Sequence, residues 1–118
     1  MKLIIAGGRD LHPSMELITK TLEELGWKPT LVISGCQRGA DVAGEEWAKL
    51  NGIPVDPNPA EWTKYGRPAG PIRNGVMAGK GDALLAFHNC RSPGTADMIR
   101  KMKALDKPVH VVTMKGIT

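Results

Sequence analysis

The apolar residues of this chain follow two rhythms, and the rhythms alternate. Short, largely apolar runs occur at 2–7 ("KLIIAG"), 30–34 ("TLVIS"), 53–57 ("IPVDP"), 82–88 ("DALLAFH") and 108–114 ("PVHVVTM"). Runs of that length, bounded by glycine, proline or charge, predict strands buried on both faces. Between them the apolar residues recur every three or four positions. "MELITKTLEEL" at 15–25 places Met15, Leu17, Ile18, Leu22 and Leu25 on one side of a helix. Ser14 stands ready to cap that helix and Gly26 to end it. "GADVAGEEWAKLNG" at 39–52 aligns Ala40, Ala43, Trp47 and Leu50. "IRNGVMAGKG" at 72–81 predicts a helix diluted by glycine, and "TADMIRKMKALD" at 95–106 a helix with Met98, Ile99, Met102 and Leu105 inward. The proline-rich stretch 57–71 predicts a loop, of a length that usually serves function or covers a site.

The order is therefore β-α-β-α-β, a loop, then α-β-α-β. Strands that alternate with helices build a parallel sheet covered on both faces, and right-handed crossovers leave few topologies. The predicted fold class is α/β: a Rossmann-like, doubly wound sheet of about five strands in the order 3-2-1-4-5. With 118 residues and no repeat, linker or low-complexity tract, the expectation is a single domain over 1–118.

Composition removes several functions. Aromatic residues make up only 4%, too few for the stacking platforms of single-strand nucleic-acid binding. A net charge of +4 suits a small phosphorylated ligand as well as it suits nucleic acid. Cys36 and Cys90 form no disulfide framework, and neither they nor His12, His88 and His110 show metal-ligand spacing. The expectation is no metal and no cofactor. No run reaches the ~20 apolar residues of a membrane span, and "MKLIIAGGRD" is too short for a secretory signal. The expectation is a cytoplasmic chain with no membrane partner.

In doubly wound sheets ligands bind at the carboxyl ends of the strands, near the switch point. The loops there are "GGRD", "SGCQRGAD", 57–71 and "HNCRSPGT", all rich in glycine or charge; the loops at the opposite end, "GWKPT" and "DK", are plain. Neither G-x-G-x-x-G nor G-x-x-x-x-G-K-[ST] occurs, which argues against an ordinary dinucleotide fold or a P-loop. Gly7 and Gly8 permit close backbone approach, and Arg9 can meet an anion. Ser34, Gly35, Arg38, Gly39 and Asp41 surround a predicted helix start whose N–H groups attract anions, though Asp41 reads equally well as a cap. Ser92, Gly94 and Thr95 repeat that device, with capping by Ser92 or Thr95 as the plainer role. Asp97 is predicted in a first helical turn, where the dipole alone accounts for an acid. Arg73 opens another helix beside the same crevice.

The segments "SGCQRGAD…GEEWA", "YGRPAGPIRN" and "SPGTADM" together resemble the YspA-like, cpYpsA-related branch of the SLOG superfamily. The superfamily is named for the DNA-processing protein DprA/Smf and the cytokinin-activating LOG enzymes. The resemblance runs from "IAGGRD" to "PVHVV" and implies a Rossmann-like domain that binds nucleotides or nucleotide-derived ligands. In LOG enzymes an arginine-lysine pair precedes a methionine, and a P-G-G-x-G-T-x-x-E motif holds phosphate and supplies a catalytic glutamate. Arg73, Asn74 and Met77 resemble the first element and "SPGTAD" the second, with Asp97 standing for the glutamate. By that likeness Asp97 and Arg73 are candidate catalytic residues, and Asn74 joins the candidate ligand contacts. The implied reaction is hydrolysis of the N-glycosidic bond of a nucleoside 5′-monophosphate. The alternatives are a non-catalytic sensor or sequestering protein for a nucleotide or ADP-ribose-type ligand, and, less favoured, DprA-like DNA binding. The likeness also implies a homo-oligomer, because LOG-like proteins are commonly dimers; the tryptophans offer an interface, and Trp62 and Tyr65 a place to stack a base. Four departures stand out. Asp97 is one methylene shorter than glutamate, Asn74 replaces lysine, one motif glycine is missing, and Cys36 stands where the YspA-like pattern has glycine.

Overall fold

The run Lys2–Gly7 (β1) is the central strand of a five-stranded parallel sheet, which is why it carries no alternation: Leu3, Ile4 and Ile5 are each fully buried. In the computed structural model, which describes residues 1–115, the other strands are Leu31–Ser34 (β2), Val55–Pro57 (β3), Ala83–His88 (β4) and Val109–Thr113 (β5). Their order is β3-β2-β1-β4-β5, as the sequence predicts. Ile4 pairs with Ile33 on one side and with Leu84 on the other. The chain builds outward from β1 through β2 to β3, then crosses back to β4, so the switch point lies between β1 and β4.

The helices are Met15–Leu25 (α1), Ala40–Leu50 (α2), Trp62–Tyr65 (α3), Ala69–Lys80 (α4) and Pro93–Ala104 (α5). On one face of the sheet, Leu3, Ile5, Leu85 and Phe87 pack with Ile18 and Leu22 of α1 and Ala43 and Trp47 of α2. On the other, Ile4, Leu84 and Ala86 pack with Met77 of α4 and Met98 and Met102 of α5. No described helix is long and apolar enough to cross a membrane.

The structure departs from the predicted elements in four places. The proline-rich loop contains the one-turn helix α3, and Gly66, at φ +65°, ends it. Helix α4 begins at Ala69 rather than 72, with Pro71 in its first turn, where a missing N–H removes no helical hydrogen bond. Helix α5 begins at Pro93 rather than 95, capped by Ser92, whose Oγ accepts the Thr95 N–H at 3.3 Å. Leu50 and Leu105, predicted inward, are exposed, because one is the last residue of α2 and the other the cap of α5. The tryptophans do not form one surface. Trp47 is buried and donates Nε1–H to Thr19 Oγ1 at 2.9 Å, Trp27 packs on the core, and Trp62 is half-exposed.

Candidate functional site

At the carboxyl ends of β1 and β4 lies a cavity of about 660 Å³. It is walled by the loop after β1, the start of α2, Trp62, the first turns of α4 and the segment from Asn89 into α5. This is the crevice that strand order alone assigns to a ligand.

Its first wall is built from close backbone contacts. A side chain at Gly7 would collide with the Phe87 carbonyl and the Ala40 Cβ. Gly39, at φ +84°, lies against the carbonyls of Gly8 and Arg9 and brings the Ala40 N–H to the Gly8 oxygen at 3.3 Å. The start of α2 is thus seated on the end of β1, and these two glycines serve that contact. Ser34 is fully buried, its Oγ–H donating to Glu45 Oε2 at 2.6 Å and its Oγ accepting the Cys36 N–H at 3.1 Å. Arg38 is exposed, and Ser34, Gly35, Arg38 and Gly39 lie outside the cavity wall, whereas Gly7, Gly8, Arg9 and Asp41 line it.

Asp41 is not the cap of α2. That position belongs to Gly39, which offers no side chain. Asp41 is the second helical residue, only 5% exposed, and it accepts the Gln37 N–H at 3.3 Å. Burial pushes its carboxyl up to about 6; the Gln37 N–H and the Arg73 charge oppose this, and Glu45 adds to it.

The second wall joins α4 to α5. Arg73 Nη1 donates to the Gly35 carbonyl at 2.6 Å and to that of Asn58 at 3.4 Å, and its Nε donates to Asn74 Oδ1 at 3.0 Å. Burial pushes the Arg73 pKa down, and the negative charge of Asp41 opposes this. With the Gln37 amide oxygen turned toward the guanidiniums, it accepts from Arg73 Nη2 at 3.2 Å and from Arg9 Nη2 at 3.3 Å. The Asn74 amide nitrogen, buried between the helices, donates to the Gly94 carbonyl at 3.1 Å and to Asp97 Oδ2 at 3.0 Å.

Asp97 lies two residues deeper in α5 than the sequence predicts. As the fifth residue of the helix it is beyond the first turn, so the dipole does not account for it. Its partners do. Lys101 Nζ sits 2.6 Å from Oδ2 and Arg100 Nη2 2.8 Å from Oδ1. Burial raises its pKa, but the bonds from Lys101 and Asn74 and the charges of Lys101 and Arg100 outweigh burial and hold the carboxyl below its ordinary range.

The start of α5 offers an anion few but well-placed donors. Pro93 has no N–H, Thr95 gives its N–H to Ser92 Oγ, and Ala96 gives its own to the Ser92 carbonyl at 3.1 Å. The Gly94 N–H is left without a partner among the described residues. The Thr95 hydroxyl, almost fully buried, lies 3.0 Å from Ser92 Oγ, and the exposed Arg91 stands beside them.

The cavity therefore gathers a committed arginine, a glycine N–H, two hydroxyls, an ionised carboxylate and a second carboxyl with raised proton affinity. Among the described residues, no three of His, Cys, Asp and Glu converge as metal ligands would. His88 lies off the wall, with its Nδ1 buried and without a partner among the described residues. The site candidates read from the sequence leave out Gln37, Arg100 and Lys101. The last two carried a readable signal, because residues three and four beyond Asp97 on one helix face must meet it.

Residues 1–65 match the model of the YspA, cpYpsA-related SLOG family. No curated protein and no solved structure matches the chain. The matched part runs from β1 through α3 and ends before the Arg73–Asn74–Asp97 wall. It spans more than half of the 118 residues, and the chain belongs to the YspA, cpYpsA-related SLOG family.

Proposed function

We propose that the chain binds a nucleotide or nucleotide-derived ligand in this cavity, with phosphate at the start of α5. The observation that carries the reading is the bond series from Arg73 through Asn74 to Gly94 and Asp97, which fixes a cationic residue of α4 against the donor-bearing start of α5. Phosphate is the group that such a start receives, from Gly94 N–H and the hydroxyls of Ser92 and Thr95. Arg9 and Arg91 add positive charge at the mouth. A volume of about 660 Å³ falls inside the ~300–1,000 Å³ range of small-molecule sites. Family membership supports a nucleotide-related ligand. A cytoplasmic location suits such a ligand, and so does a homo-oligomer, for which the exposed Tyr65, Ile72 and Val76 supply an apolar face.

A second reading, LOG-like hydrolysis of an N-glycosidic bond, is favoured by the ionised Asp97 on the cavity wall. A carboxylate there stabilises positive charge developing on a ribose ring. Two cations already balance that charge, however, at 2.6 and 2.8 Å. Binding without turnover is the reading the geometry supports best. DprA-like DNA binding is the weakest reading, in a chain with 4% aromatics and a charge of +4.

The test is a panel of nucleoside 5′-monophosphates and NAD-derived compounds, followed by calorimetry and by chromatography for free base. Binding with no released base is expected. Released base that disappears in Asp97→Asn establishes the hydrolase instead. A salt-dependent shift of DNA without nucleotide binding overturns both.

A further inference from the structure

The cavity holds two carboxyls in opposite conditions. Asp97 is met by Lys101, Arg100 and Asn74. Asp41 is more deeply buried, yet no lysine or arginine among the described residues forms an ion pair with it. Arg73 is its nearest cationic influence, and both groups crowd the position that a Cβ at Gly35 would take. A Cβ at Gly35 would lie 2.7 Å from Arg73 Nη1 and 2.8 Å from Asp41 Oδ2.

The donors of Arg73 point elsewhere: to the carbonyls of Gly35 and Asn58, to Asn74 and to Gln37. The other ionisable neighbours of Asp41 are Glu45, on its own helix, and the Cys36 thiol of the preceding loop. Neither supplies positive charge. Environments that push two carboxyls of one site apart in proton affinity give them different roles. A phosphate-bearing ligand entering the cavity adds negative charge and displaces water, and both effects act against an ionised Asp41.

We propose that Asp41 is a carboxylic acid in the ligand complex, donating its O–H to an acceptor atom of the bound nucleotide, and that binding takes up one proton from solvent. The proposal rests on the nucleotide reading above. It gives Asp41 the opposite polarity from a carboxylate that accepts ribose hydroxyls. Burial already lifts this carboxyl to about 6 in the free protein, so at pH 7.5 the free side chain is ionised and the proton must arrive with the ligand.

The test is calorimetry of adenosine 5′-monophosphate with the full chain at pH 7.5, in two buffers of different ionisation enthalpy. Asp41→Asn is measured in parallel, so that the ligand phosphate's own titration near pH 6 cancels in the difference. The expected difference is about one proton per ligand. The wild-type affinity is expected to fall about tenfold between pH 7 and 8 relative to the variant. Carbon-13 NMR of the Asp41 carboxyl in the wild-type complex gives the same answer without any substitution: the signal of the protonated acid is expected at pH 7.5. Binding with no proton difference, or a carboxylate signal in the complex, overturns the proposal and leaves the nucleotide reading standing. Absence of binding by both proteins at millimolar nucleotide overturns the nucleotide reading, and the proposal with it.

Discussion

Asn74 holds Asp97 with the same amide nitrogen that holds the backbone of Gly94, at 3.0 and 3.1 Å, while its oxygen takes Arg73 Nε at 3.0 Å. One buried side chain thus ties α4 to the start of α5 as both donor and acceptor. A lysine here, as in the LOG pattern, would supply charge but no acceptor for Arg73. In this chain the cations beside the carboxylate are Arg100 and Lys101, about one turn further along α5. The departure at position 74 moves the charge rather than removing it.

Removing that amide has a cost set by what it leaves behind. Asn74→Ala strips one donor from Asp97, one from the Gly94 carbonyl and the acceptor of Arg73 Nε. Each buried polar group left unmatched costs about 1–3 kcal/mol, and water reaching the cavity offsets part of this. The expected loss is about 3 kcal/mol, read as a lower urea midpoint. Asn74→Asp is the sharper variant, because it sets two carboxylates against each other. Its deficit is expected to be largest at pH 7 to 8 and to shrink toward pH 4, where one of them protonates. A deficit that does not change with pH would mean the bonds to Asp97 do not hold in solution.

Arg73 and Asp41 both lie against the bare Cα of Gly35, and substitution there tests the site more than the fold. The methyl of Gly35→Ala would meet Arg73 Nη1, the movable tip of a long side chain, as well as Asp41 Oδ2. The expected result is a stability loss of about 1–2 kcal/mol with at least a tenfold loss of nucleotide affinity. Gly44→Ala is the contrasting case. Its methyl would meet Cγ2 and Cβ of Ile5 in the core, at 2.7 and 2.8 Å, so about 1–3 kcal/mol of stability is lost while the folded fraction binds normally. Thermal melts and calorimetry on the two variants separate the effects; equal affinity loss in both would refute the role given to Gly35.

The architecture was legible because it depends on patterns that survive in one dimension. Unbroken apolar runs and helical spacing give the element types, and the alternation of elements gives the parallel sheet and its order. The capped start of α5 was legible to within two residues for the same reason, since a cap, a proline and a glycine act locally. What failed depended on contacts distant in sequence or on the last turn of an element. The one-turn helix at 62–65 is held by its packing, with the Trp62 ring lying over Gly70. That Gly39 serves the fit of α2 on β1 is likewise a contact no local pattern reveals. The predicted start of α5 fell two residues late, and that placed Asp97 in the first turn and suggested a dipole role in place of its bonds to Asn74, Arg100 and Lys101.

Cys36 explains one family departure in conformational terms. It sits at φ +63°, as Cys90 does at φ +66°, in the left-handed region that costs an L-residue roughly 1–2 kcal/mol. Glycine removes that cost but adds about 0.4–1 kcal/mol of unfolded-state freedom. Cys36→Gly is therefore expected to be more stable by roughly 0.5 kcal/mol. Cys36→Val, with a branched Cβ in the same region, is expected to be less stable than the wild type. Chemical denaturation of the three proteins under reducing conditions checks the order Gly, Cys, Val; a valine variant as stable as the wild type would contradict the backbone conformation at 36.

Asp41 makes the pH dependence of stability unusual in sign. Its folded carboxyl is raised to about 6, against about 4 in an unfolded chain. Between those values the folded state binds more protons than the unfolded one, so this group's contribution falls as pH rises and levels off above pH 6. The full drop is about 3 kcal/mol. Asp97, held below its ordinary range, acts the other way: its contribution is present above the unfolded value and is lost as pH falls through the folded one. The two are separated by comparing Asp41→Asn with the wild type, since Asp97 is common to both. The variant is expected to match the wild type near pH 4 and to exceed it by about 3 kcal/mol at pH 7.5, because a neutral amide replaces a buried charge that forms no ion pair among the described residues. Urea denaturation at the two pH values gives the difference directly. A variant no more stable than the wild type at pH 7.5 would mean that water or a mobile cation solvates Asp41, and that burial does not govern its titration.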